Sequence, residues 1–344
     1  MSLDRSELLR RLSTGIGTAS LAGLASADAE AARTQSGVGT LPSHPRWQFF
    51  IISHLTTSPL FVPLQYGAQD ACALVRCEYR WTGSASADTG EIVKAVQSAV
   101  KSKADGIALP IVDPDALRGP VDVALGAGIP VVAYHADAKP TMRTLPFVGQ
   151  NSYAAGLAVG RRIAGLVSRG DVTLLVAERG APPVEARLKG TLAGIRKAAP
   201  SVRARVVTTT HDPYEVAARV ERLVTDSKRL RGLFALELDS SEGVRRVVDK
   251  HNLQANGIRA GGYGVLPATL DLIKGRKLDF TLDEQPYLQG FVPVLQLFLA
   301  KLSGGLVEPA DTELPLVFVT KANLAPYLAK TRYEGSSSKQ RYPI

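Results

Sequence analysis

Cysteine is nearly absent from this chain: 344 residues hold two, Cys72 and Cys77. Their spacing is not the C-x-x-C of redox or zinc sites, and no histidine pair stands near them at metal-ligand spacing. A zinc module, a thioredoxin-like centre and a disulfide scaffold are therefore excluded, while a short-loop disulfide and a pair of buried thiols both stay open. No run of about 18 apolar residues occurs, which excludes a membrane span. Glycine (31) and proline (21) are near average usage, so the chain is neither collagen-like nor of low complexity. G-x-x-x-x-G-K-[ST] and G-x-S-x-G are both missing, and Gly15-Ile16-Gly17 follows no strand, so P-loop, nucleophile elbow and dinucleotide fingerprint are all unsupported. The chain is basic, with net charge +9, yet its charges are scattered and the densest run is only Lys228-Arg229 followed by Arg231. A phosphate backbone calls for a stripe or patch, so nucleic acid is not an expected partner.

What is present is a globular composition, 45% hydrophobic and 21% charged, in a length that suggests about two domains. Residues 1–32 stand apart. Arg5, Arg10 and Arg11 precede an Ala/Gly/Leu-rich run from Leu12 to Ala27, followed by Ala25-Ser26-Ala27-Asp28-Ala29. That is the order of an export signal, with the mild hydrophobicity and arginine pair of the twin-arginine route. With no cysteine at the cleavage site, a lipid anchor is not expected. Residues 33–45, with Pro42 and Pro45, read as a linker, and 331–344 as a flexible tail.

From residue 46 onward, apolar β-rich runs alternate with helical periodicity. Strands are predicted at Trp47–Ser53, Val75–Trp81, Asp105–Leu109, Pro130–Tyr134 and Leu145–Val148. A second set is predicted at Val172–Val176, Ala204–Thr208, Gly232–Leu236, Ile258–Tyr263, Leu278–Leu282 and Leu316–Val319. Between them lie amphipathic stretches such as Gly90–Lys101, Tyr153–Val167 and Val184–Ala198. Repeated βα units with near-continuous apolar strands give an α/β fold of two doubly wound parallel-sheet lobes. Ligands bind such sheets at the carboxyl ends of the strands. Here those ends carry Ser53-His54, Trp81-Thr82, His135-Ala136-Asp137, His211-Asp212, Glu237 with Asp239, Tyr263 and Asp283-Glu284-Gln285. A hydrophilic small molecule held between two lobes is the expected ligand. Trp81, Tyr134, Tyr214 and Tyr287 suit core and cleft wall equally. His135 and Asp137 alone are too few to hold a metal, and no metal or cofactor is expected.

Four segments, in order, make the chain recognisable: Ser58-Pro59-Leu60-Phe61 with Gly67-Ala68-Gln69; Gly128-Ile129-Pro130-Val131-Val132 with Asp137; Phe147-Val148-Gly149-Gln150; and Gly261-Gly262-Tyr263. With Asp283-Glu284-Gln285-Pro286-Tyr287-Leu288-Gln289-Gly290 they make residues 46–330 resemble the ribose/galactose-type periplasmic sugar-binding proteins, the type I periplasmic-binding fold. The resemblance implies a monomer with a three-crossover hinge near 148–152, 283–286 and 311–315, worked by Gln150, Glu284 and Thr312. It implies an N-terminal lobe of 46–149 plus 286–312 and a C-terminal lobe of 150–285 plus 313–330. It also implies a periplasmic, non-enzymatic protein that captures a sugar or polyol and delivers it to an ABC permease. The alternative is a ligand-sensing receptor feeding a chemoreceptor or sensor kinase.

Carried over residue by residue, the ligand-binding positions are Ser58, Phe61, His135, Asp137, Arg187, Glu237 and Glu284, and the strand ends add Trp81, Asp239 and Tyr263. Phe61 offers a ring to a sugar's C–H face, and Arg187 a fork of donors. The chain departs from the family where Leu60 replaces a ring, Ala136 an arginine and Gly264 an aspartate. The carboxylates of Glu237 and Glu284 then give an acidic cleft with Arg187 as its main cation. Such a cleft suits a neutral sugar, polyol or amino sugar and disfavours acidic sugars.

Overall fold

The computed structural model describes residues 41–137, 145–177, 179–227 and 229–328. The expected leader, most of the linker and the tail lie outside them. From Pro45 onward two six-stranded sheets carry the architecture.

The first sheet contains β1 (Gln48–Ser53), β2 (Glu78–Gly83), β3 (Gly106–Leu109), β4 (Val131–Tyr134), β5 (Phe147–Gly149) and the late β11 (Thr312–Glu313), in the order β11-β5-β4-β3-β1-β2. The second contains β6 (Gly170–Val176), β7 (Val202–Thr208), β8 (Leu230–Ala235), β9 (Arg259–Tyr263), β10 (Phe280–Asp283) and β12 (Val317–Val319), in the order β12-β10-β9-β8-β6-β7. All pairings are parallel except β10 with β12, which makes one edge of the second sheet antiparallel. The chain crosses between sheets three times: after β5, after β10, and between β11 and β12.

Burial on both faces explains the apolar strands. In β1, Phe50 and Ile52 join one core cluster with Ile92, Val96 and Leu117, while Phe49 and Ile51 join another with Leu64, Val294 and Phe298. The second sheet repeats this, with Leu233 and Ala235 facing one way and Phe234 and Leu236 the other.

The helices begin where sequence chemistry starts them. Helix Val62–Leu74 opens on Pro63 without a side-chain cap, whereas the Asp88 carboxylate accepts from Glu91 N to open Thr89–Lys101. These two helices are α1 and α2. Asp113 caps α3 (Pro114–Gly126), Asn151 caps α4 (Ser152–Leu166) and Asp212 caps α6 (Pro213–Asp226). Helix α5 (Pro182–Ala198) opens on Pro182-Pro183, two residues before the apolar periodicity begins at Val184. Glu237 caps α7 (Leu238–Lys250), α8 is Pro267–Lys274, and α9 (Pro286–Leu302) follows Gln285, whose φ of 56° is left-handed. A single turn, α10, spans Ala325–Leu328.

Two helix pairs touch backbone to backbone. A Cβ on Gly67 of α1 would meet Tyr287 O at 2.0 Å, and one on Gly290 of α9 would meet Leu64 O at 2.0 Å. In the other lobe a Cβ on Gly156 of α4 would meet Arg187 O at 2.0 Å, and one on Gly190 of α5 would meet Tyr153 O at 2.2 Å. Only glycine permits so close an approach.

Two expectations are corrected. The second strand begins at Glu78, not Val75, because Val75 closes α1 and Arg76 takes a left-handed φ of 52°. Thr312 does not lie in a crossing: it pairs with Val148 within the first sheet, and Gln296 Nε2 donates to its hydroxyl at 3.0 Å. The third crossing is residues 314–316. Both cysteines are free and buried, and burial pushes Cys72 up to about 12 and Cys77 to about 11. Among the described residues no helix is long and apolar enough to cross a membrane.

Candidate ligand-binding cleft

The carboxyl ends of the two sheets and the helix N-termini that follow them enclose a cavity of about 550 Å³. Ser58, Phe61, His135, Arg187, Glu237, Asp239 and Glu284 line it, as do His54 and His211. The N-terminal turn of α5 and the loop before it, from Arg179 to Val184, form one lip, and Asp113 to Asp115 at the start of α3 form part of the other side.

Three sequence-expected positions lie off this lining. Trp81 sits behind Phe61, ring centroids 6.2 Å apart, with its indole N–H buried and without a partner. Tyr263 is fully buried beneath Arg187, whose guanidinium lies 4.6 Å from its ring centroid. Asp137 is half-buried beyond Ala136 and does not line the cleft. Trp81 and Tyr263 lie within β2 and β9, where alternation decides which side chains turn into the rim, and Asp137 lies beyond the left-handed turn at His135. Of the other aromatics, Tyr134 is core, its hydroxyl donating to Ile52 O, while Tyr214 is exposed and Tyr287 donates to Asp70. The side chain of Leu60 lies outside the described residues.

The polar groups are already engaged with one another. Arg187 Nη1 donates to Leu236 O at 2.7 Å and Nη2 to Glu284 Oε1 at 3.1 Å, both side chains being largely buried. Burial pushes the Glu284 carboxyl up, opposed by the Arg187 charge and hydrogen bond. Burial also works against the Arg187 charge, but Tyr263, Glu284 and Glu237 outweigh it and hold the guanidinium protonated. Glu237 accepts from Ser240 N at 3.0 Å and Ala177 N at 3.1 Å, so it is the cap of α7. Its desolvation raises it from 4.5 to about 7. Asp239 accepts a 2.7 Å hydrogen bond from His211 Nδ1. The carboxylates of the acidic cleft that the family resemblance implied are therefore engaged: each of them has a donor.

The N-terminal lobe contributes an aromatic wall. His54 and His135 stack at 5.5 Å and 17°, and Phe61 meets both edge-on at 5.3 and 5.4 Å. Burial holds His54 down to about 3 and His135 to about 4, so both rings are neutral near pH 7. His135 sits at a left-handed φ of 62°, a conformation that a histidine pays strain to adopt. His54, Asp113, Asp115 and Arg179 were not among the expected binding positions. Asp113-Pro114 after a strand was a legible helix start, but nothing in the sequence shows that this start faces the second lobe. Among the described residues no group of three or more metal-ligating side chains occurs.

Two doubly wound lobes, joined three times and closing on a polar cleft with an aromatic wall, define a binding protein. The chain belongs to the periplasmic binding protein domain family, whose model matches residues 49–304. It is 39% identical over 314 residues to the xylose/arabinose-binding protein XylF of Sulfolobus acidocaldarius, covering 87% of this chain and 77% of that one. A solute-binding protein from Burkholderia graminis, solved with D-arabinose, shares the fold with a TM-score of 0.76 at 22% identity, over 83% of this chain and 98% of its own. AraP, an arabinose-binding protein from Geobacillus stearothermophilus, does so with a TM-score of 0.68 at 22% identity, over 83% of this chain and all of its own. The family is one of binding proteins, not enzymes, and its work lies outside the cytoplasm.

Proposed function

We propose that this protein captures a neutral sugar, a pentose first among the candidates, and delivers it to an ABC permease. The observation that carries the reading is the chemistry of the cleft. Its buried carboxylates are matched by Arg187, His211 and backbone amides, and its aromatic wall holds two uncharged imidazoles. An ammonium would find no spare buried carboxylate, and a phosphate would face Glu284 and Glu237, so a neutral polyhydroxyl ligand fits best. The xylose/arabinose name of the Sulfolobus relative points the same way. Isothermal calorimetry with D-xylose, L-arabinose, D-glucose, D-glucosamine and a sugar phosphate tests it. Saturable binding of a neutral sugar is expected, and tight binding of the phosphate alone would overturn it.

The same reading includes a monomer whose lobes close on the sugar, with Gln150 and Glu284 beside the segments that bend. Small-angle scattering should then give a smaller radius of gyration once the binding sugar is added, and an unchanged profile at saturation would reject closure. It also includes export, with removal of residues 1 to about 32. N-terminal sequencing of protein recovered outside the cytoplasm should begin near Ala29–Arg33.

A further inference from the structure

Gln289 was given no role by sequence, yet it stands between a crossing segment and the cleft wall. It lies one turn into α9, is 3% exposed, and uses both ends of its amide. Its Nε2 donates to the backbone carbonyl of Glu284, in the second crossing, at 2.6 Å. A carbonyl oxygen can only accept, so this bond decides which way the amide faces. The Oε1 atom is thereby turned to His135 Nδ1, 3.1 Å away. Amide oxygen also only accepts, so the proton of the neutral imidazole must be on Nδ1.

We propose that Gln289 is a positioning residue that fixes His135 as the Nδ1–H tautomer, leaving the Nε2 lone pair to accept a hydroxyl of the bound sugar. The proposal rests on the sugar reading above and narrows it. Nε2 has no hydrogen-bond partner among the described residues and is not sealed in the interior, while the ring lines the cavity. The left-handed backbone at His135 and the face-to-face stack with His54 leave the ring little freedom to turn away. Its burial, with the Arg187 charge nearby, opposes protonation of that lone pair by the solvent. The same Arg187 charge disfavours an ammonium as the donor. A neutral acceptor in this place therefore selects a hydroxyl, and selects it by position: a sugar lacking or inverting that hydroxyl leaves the lone pair unsatisfied.

Long-range ¹H–¹⁵N NMR of the ligand-free protein reads the tautomer directly, with the His54 ring as internal reference. At pH 7 the wild type should show His135 as the Nδ1–H form. Gln289→Met should shift it toward a mixture, because it removes the acceptor that faces Nδ1. Calorimetry with D-xylose and L-arabinose as probes supplies the second readout. His135→Asn and Gln289→Met should each weaken the sugar that binds by roughly tenfold, and the double variant by no more than either alone. Asparagine tolerates the left-handed backbone at 135, so the first variant keeps the test open should Gln289→Met not fold. An Nε2–H or doubly protonated His135 in the wild type, or additive losses in the double variant, would overturn the proposal. If neither sugar binds, the proposed function and the hydroxyl contact fail together, and the tautomer spectrum still judges the relay by itself.

Discussion

Gln150 and Pro315 lie on different crossings between the two sheets, yet Gln150 Nε2 donates to the Pro315 carbonyl at 2.7 Å. The same nitrogen lies 3.3 Å from the carbonyl of Asp283, the last residue of β10, from which the remaining crossing departs. One side chain thus ties together all three connections, which explains how short unpaired segments hold a defined geometry without a sheet of their own.

Replacing Gln150 by alanine removes both ties. Chemical denaturation should show a loss of about 1–2 kcal/mol, the scale of two ordinary hydrogen bonds. A larger spread of radii in small-angle scattering of the ligand-free protein should accompany it, while Gln150→Glu should not rescue either effect because a carboxylate cannot donate.

Arg187→Ala should cost more, because it leaves Glu284 buried without its cation. A loss of about 3–5 kcal/mol is expected from breaking a buried pair on one side. The double change Arg187→Met with Glu284→Gln should recover much of that stability in a melting experiment without recovering sugar binding, which separates the two roles of the arginine.

The buried histidines set the acid limb of stability. Their folded pKa values are depressed from 6.5 to about 3 and about 4, so the unfolded chain takes up protons first as pH falls. Their contribution is complete above pH 6.5 and is lost as pH falls through that range. Glu237 acts with the opposite sign: raised from 4.5 to about 7, it contributes fully below pH 4.5 and loses that contribution as pH rises through about 7. Unfolding free energies measured from pH 4 to 8 should therefore flatten at the acid end in His135→Asn and at the neutral end in Glu237→Gln.

Glycines on one helix should behave in opposite ways. Gly156→Ala drives a methyl to 2.0 Å from the Arg187 carbonyl, and an overpacking loss of about 1–3 kcal/mol with weakened sugar binding is expected. Gly165→Ala, on the same helix, meets nothing within 4 Å and should stabilise by about 0.5–1 kcal/mol through helix propensity. Thermal unfolding of the two variants side by side decides it.

Much of the fold was legible because buried parallel strands announce themselves as apolar runs, as Phe49-Phe50-Ile51-Ile52 does. β11 was not, since Thr312–Glu313 is two residues long and carries no periodicity. Within the cleft, Arg187 was marked only by the family resemblance, while the sequence marks His135 by its place after a strand. It could not show that Glu237 would spend its carboxylate on backbone amides, because capping depends on where α7 begins. Nor could it show Tyr263 turning under the guanidinium instead of into the cavity: that follows from the register of β9 against β8 and β10.

The paired glycines have a mechanical meaning. Where α1 meets α9, and again where α4 meets α5, main chain rests on main chain with no side chain between to flex or change rotamer. Each lobe is thus braced across its own helices like a truss. Arg187, whose side chain lines the cleft, stands at the foot of one such brace, its own carbonyl lying against Gly156.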